Sequence, residues 1–239
     1  MRLRLRYAKL GKVRFTSHRD TARMWERAMR KAALPVATSA GFTPRPRLSF
    51  GLALPTGAES TAEYLDVELA HGLDDGALAA LPVRLTAALP DGVTVLAVER
   101  RDDAGSLQEA VTSVTWELEA PAGTDVAAVA GRLLAAPALP LVRVRKGQRT
   151  RDDVRPQIVD LEPVGAGTLR AELATTGRGL RPAELAALGF PDAEPTAVRA
   201  RRTHQWIEHD GFRREVIALD DVHAASLGPV VAPAGAVGA

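Results

Sequence analysis

The sequence predicts an α+β fold built as two tandem ferredoxin-like (βαββαβ) halves, the second less regular than the first. Three observations carry this expectation. Basic and apolar residues alternate with period two from Arg2 to Tyr7, the mark of a strand with one buried and one wet face. Ala22, Trp25, Ala28, Met29 and Ala32 form a helix-period stripe behind a helix-start signal at Ser17. The succession of strands and helices then partly repeats beyond a polar stretch at 101–106. The expected boundaries are 1–101 for a basic N-terminal half, 107–221 for a C-terminal half and 222–239 for a disordered tail.

In chain order, Lys12 and Arg14 alternate with Val13 and Phe15 and read as a second short strand after a turn near Gly11. Ser17-His18-Arg19-Asp20 reads as a capping box, with Ser17 as the cap and Asp20 in the third helical position. Pro35 ends that helix, and Pro44 and Pro46 hold the next segment extended. Strands are expected at 48–54 and 64–69, a helical region interrupted by Pro82 at 74–89, and a strand at 93–99. In the second half, strands are expected at 112–119, 141–145, 154–161 and 169–175, with a charged loop at 146–153. Helices are expected at 125–136 and 182–188, the latter with Pro182 in its first turn. A hairpin around Asp210-Gly211 closes the ordered chain.

The net charge of +2 conceals a strong asymmetry. The first 50 residues hold thirteen Lys and Arg against Asp20 and Glu26 alone, whereas acidic residues exceed basic ones over the remainder. A cationic region this dense favours polyanions, nucleic acid first. Aromatics are only 4% of the chain, so the core must come from Leu, Val and Ala. The sequence has no cysteine, which excludes disulfides, thiolate zinc sites and cysteine-held iron–sulfur clusters within it and agrees with a cytoplasmic location. No apolar run approaches the roughly 20 residues of a membrane span, so no membrane partner is expected.

Several motifs resemble a bacterial family of unknown function described as radical-SAM-linked or radical-SAM-associated. They are Arg6-Tyr7-Ala8-Lys9, Phe15 to Asp20, Ser39 to Pro46, and Leu54 to Ser60 with Glu63 and Asp66. Arg145-Lys146-Gly147 and Asp153-Val154-Arg155-Pro156 supply the second-half match. The resemblance implies a cobalamin-binding radical-SAM protein as partner and gene neighbourhoods rich in ribosomal proteins. It assigns no catalytic residue, and no cofactor is expected in this chain.

Arg19, Arg23, Arg27 and Arg30, spaced four, four and three apart, fall on one helix face with only Glu26 to oppose them nearby. They are the first candidates for RNA phosphates, joined by Arg45 and Arg47 and by Arg145 and Lys146 of the second basic cluster. Phe42 and Phe50 flank the extended segment; packing beneath a loop is expected of them rather than stacking on bases. Glu59, Glu63 and Asp66 make no metal site, because Glu63 and Asp66 fall on opposite faces of a strand.

His18 sits at a helix N-terminus beside arginines and suits a general base or hydrogen-bonding group. The leading expectation is a non-catalytic RNA-binding module that presents ribosomal or transfer RNA to the radical-SAM partner. One alternative is a metal-independent endonuclease of the CRISPR-repeat-processing type using His18. Another is a protein–protein adaptor whose basic face docks an acidic partner.

Overall fold

The computed structural model describes residues 1–101, 105–194, 197–209 and 211–219, leaving out the side chains of Arg145 and His209. The tail predicted at 222–239 lies outside the described residues. Eleven strands and six α-helices are present among them. The N-terminal half runs β1 (Arg2–Lys9), a 3-10 helix (Gly11–Phe15), α1 (His18–Lys31), β2 (Leu48–Phe50), β3 (Glu59–Glu68), α2 (Asp75–Ala79), α3 (Leu81–Thr86) and β4 (Val93–Arg100). Next come α4 (Leu107–Ala110), β5 (Val111–Glu119), α5 (Val126–Ala135), and the strands β6 (Pro140–Arg145) and β7 (Gln148–Asp153). The described elements close with β8 (Ile158–Val164), β9 (Thr168–Ala174), α6 (Pro182–Gly189), β10 (Ala200–His209) and β11 (Phe212–Glu215).

The architecture is a mixed α+β fold organised on one large mixed sheet. Its order is β4-β1-β3-β10-β5-β9-β8, with β2 added to β3 and β11 to β10. All neighbours are antiparallel except β3 and β10, which join the two halves in parallel through Arg201 opposite Glu59 and Arg202 opposite Ser60. The halves therefore do not form separate sheets.

Two apolar clusters stand on this sheet. One gathers Leu3, Leu5 and Tyr7 of β1, Leu65 and Val67 of β3, Trp25 and Met29 of α1, and Leu81 and Leu85 of α3. The other gathers Val114, Trp116 and Leu118 of β5 with Leu133 of α5, Leu185 of α6, and Leu169 and Leu173 of β9.

Three local expectations are corrected. Residues 11–15 form a 3-10 helix rather than a strand, because Gly11 turns the chain at φ +68° and the Thr16 N–H donates to Val13 O at 3.0 Å. Residues 148–153 form β7, a strand paired to β6 across the Lys146-Gly147 turn. Both turn residues have positive φ, 49° and 79°, as a two-residue hairpin requires. The even face of β1 is wet only at its start: Arg2 is exposed and Arg4 half-buried, but Arg6 is buried under Glu215 and Ile217, contributed by the end of the described chain.

Candidate nucleic-acid interface

The helix α1 begins where the sequence places it. Ser17 Oγ accepts from the Asp20 N–H at 3.2 Å and donates to the Asp20 carboxylate at 2.7 Å, satisfying a donor that the first helical turn leaves open. Thr21, Met24, Trp25, Ala28 and Met29 face inward, and Tyr7 meets Trp25 edge to face at 4.9 Å. This burial fixes the helix's rotation. Arg19, Arg23, Arg27 and Arg30 are consequently all exposed. At a rise of about 1.5 Å per residue, they span a row of about 16 Å.

Arg23 lies 3.7 Å from Asp20, a pair exposed on both sides. Among the described residues, Arg19, Arg27 and Arg30 make no ion pair. The other predicted cations are dispersed. Arg47 is paired to Glu68 at 3.1 Å, whereas Arg45 is exposed on the loop that Ser39 closes by accepting the Arg45 N–H. Lys146 is exposed at the tip of the β6–β7 hairpin, and the side chain of Arg145 lies outside the described residues. Arg143, nearby, is held by Glu184 at 2.7 Å and Asp152 at 3.3 Å.

His18 is exposed, and its ring meets Phe50 edge to face at 5.2 Å. It borders a narrow cleft with Tyr7, Lys9, Thr21, Glu63 and Tyr64. The cleft volume of about 20 Å³ admits about one water and no nucleobase. Lys9 donates from Nζ to Thr16 O at 3.1 Å; burial pulls its pKa down, against the opposing pull of Glu63. Phe50, on β2, is partly buried against the N-terminal core rather than beneath a loop, and Phe42 is fully exposed.

A buried polar seam escaped the sequence reading. Arg199, Arg201 and Arg202 are each engaged by a carboxylate of the other half, and Arg199 also approaches Glu119 of β5 at 3.9 Å. Arg201 and Arg199 each reach Glu59 at 3.0 Å, and Arg202 Nε donates to Glu63 at 3.0 Å. Arg6 joins them, donating to Thr61 O at 3.0 Å and ion-pairing with Glu215 at 2.5 Å. Farther along, Asp66 takes Arg4 at 2.7 Å and also Arg101. Burial raises the Glu59 carboxyl, but the Gly11 N–H and its arginine neighbours outweigh it and hold it below the usual range. A signal was present: β3 carries Glu59, Glu63 and Asp66 in a strand buried over nearly its whole length, and buried carboxylates require cations. Each of the three is engaged by arginine, and no group of three or more metal-ligating side chains converges among the described residues.

No helix among the described residues is long and apolar enough to cross a membrane. No curated protein matches the chain. Residues 2–182 match the model of a family described as "Uncharacterized protein conserved in bacteria" (DUF2344). The match takes in α1 and the carboxylates of β3, while β10 lies beyond it. The chain belongs to this bacterial family.

Proposed function

We propose that this protein is a non-catalytic RNA-binding module whose phosphate-binding face is the arginine row of α1. The observation that carries the reading is the contrast in pairing. Arginines of the β3–β10 seam are held by buried carboxylates, whereas those on α1 are exposed with one weak ion pair among the four. A row of about 16 Å can follow several consecutive phosphates and release their counterions. Arg45 extends the cationic surface on the neighbouring loop.

The partner in this reading is a cobalamin-binding radical-SAM protein, and the joint task is modification or processing of ribosomal or transfer RNA. Support comes from the motif resemblance. The chain has no cysteine to hold an iron–sulfur cluster, so that chemistry would belong to the partner. A tandem ferredoxin-like plan belongs to the same reading. It is supported by a strand order of fourth, first, third, second in each half, β4-β1-β3-β2 and β10-β5-β9-β8, with β6–β7 as an insertion.

Purification at low salt tests the reading. Co-purifying nucleic acid, seen as a high 260/280 absorbance ratio that falls after a salt wash, is the expected result. Labelled RNA incubated in EDTA should be bound and remain intact. Metal-free cleavage that disappears in His18→Ala would replace the module by the endonuclease.

A further inference from the structure

A second cleft opens at the seam between the halves, beside the start of α1. Arg14, Phe15 and the turn Pro55-Thr56-Gly57-Ala58 form one wall; Pro182, Ala183 and Ala186 of α6 with Val198 and Arg199 form the other. Its volume of about 340 Å³ lies at the low end of the range for small-ligand pockets, about 300–1,000 Å³.

The lining combines two chemistries. Phe15 is 61% exposed although it faces a concavity made of proline, alanine and valine. Arg14 lies over the Phe15 ring at 4.5 Å. It donates to Gly11 O at 3.2 Å and forms an ion pair with Glu59 at 3.6 Å, a separation longer than a hydrogen bond. Most of its five N–H groups therefore remain available to an anion.

The walls are fixed before any ligand arrives. Gly57 takes φ +91°, donates its N–H to Arg14 O at 2.9 Å and abuts the Phe15 ring edge. The α6 N-terminus is closed by Glu184, which accepts the Arg181 N–H at 2.9 Å.

We propose that this cleft is a site for a single nucleotide, its base against Phe15 and the apolar wall and its phosphate on Arg14. The nucleotide is either free or one unpaired unit of an RNA strand. The second source rests on the RNA-binding reading, because Phe15 precedes Arg19 by four residues and a strand on the α1 face would lead into the cleft.

The test uses the full chain and three proteins: wild type, Phe15→Ala and Ala183→Trp. Phe15 and Ala183 are exposed, so neither change hollows the core, and the tryptophan plugs the mouth. Adenosine 5′-monophosphate is followed by saturation-transfer NMR, and single-stranded and duplex RNA by fluorescence anisotropy. The expected result is a nucleotide signal in wild type that both variants lose. Single-strand affinity should fall about tenfold, the order of one lost base stack, with duplex affinity unchanged. A nucleotide signal retained in Ala183→Trp overturns the site, as does wild-type RNA binding with no nucleotide signal and no effect of either variant. A Phe15-dependent nucleotide signal without any RNA binding keeps the site, assigns it to free nucleotide and removes the RNA reading. Absence of both removes both.

Discussion

The arginines of α1 and those of the β3–β10 seam carry the same charge in opposite surroundings. Arg202 is 2% exposed and fixed on Glu63; Arg27 and Arg30 are exposed, with no ion-pair partner among the described residues. A guanidinium at the seam has been taken out of water, and its carboxylate offsets that cost only while both are present. A guanidinium on α1 keeps its hydration and contributes almost nothing to folding. Charge alone therefore does not mark a binding surface. Its pairing does.

The seam side of this comparison carries the largest expected effect. Arg202→Ala leaves Glu63 buried without its cation and should cost about 3–5 kcal/mol, measured by urea denaturation. Replacing both partners with apolar residues, Arg202→Met with Glu63→Leu, should cost less than the single change. A single variant as stable as wild type would mean that the seam is more open to water than described.

A titration of intermediate size sharpens the same contrast. His204 on β10 stacks on Trp206 at 5.2 Å. Burial, then the charges of Arg6, Arg170 and Arg213, push its pKa down to about 4. The unfolded imidazole titrates near about 6.5, so between those values the unfolded state binds more protons. Stability from this group is complete above the upper value and is lost as pH falls through the window, at no more than about 1.4 kcal/mol per pH unit. Burial pushes the Glu215 carboxyl up against the pull of Arg6, which works in the opposite direction. The readout is therefore the difference between wild type and His204→Gln, whose slope should be flatter. Parallel pH profiles for the two proteins would contradict this account.

The smallest effect belongs to α1. Arg27→Ala with Arg30→Ala should change folding stability by about 0.5 kcal/mol or less, because exposed arginines add little and alanine favours helix. A loss of several kcal/mol by thermal unfolding would show that this face is structural.

These contrasts also show how much the sequence disclosed. The capping box at Ser17 and the stripe through Trp25 and Met29 placed α1 and its exposed arginines, because a helix's buried face is determined by local spacing. Strand alternation found β1 correctly, but the burial of Arg6 on its polar face depended on Glu215 and Ile217, more than two hundred residues away in sequence. The partners of Arg201 and Arg202 were illegible for the same reason: the β3–β10 pairing is long-range, and nothing near those arginines announces Glu59 and Glu63. The exposure of Phe15 followed from a 3-10 turn where alternation had predicted a strand. Arg201 and Arg202, committed to Glu59 and Glu63, are unsuitable as surface controls, and Arg149 and Arg151 of β7, both exposed, take that place.

The salt dependence of RNA binding shows whether the α1 arginines hold phosphates. Affinity for a single-stranded RNA should be measured from roughly 50 to 300 mM salt for wild type and for the double changes Arg19→Ala/Arg23→Ala and Arg149→Ala/Arg151→Ala. With about 0.7 in slope for each phosphate neutralised on a single strand, the four arginines of α1 predict a log–log slope near about −3. Removing Arg19 and Arg23 should flatten that slope by about 1.4 and weaken binding about tenfold, while the β7 pair leaves both nearly unchanged. A slope near zero in wild type, or an equal loss from the β7 pair, would contradict the assignment of the RNA-binding face to α1.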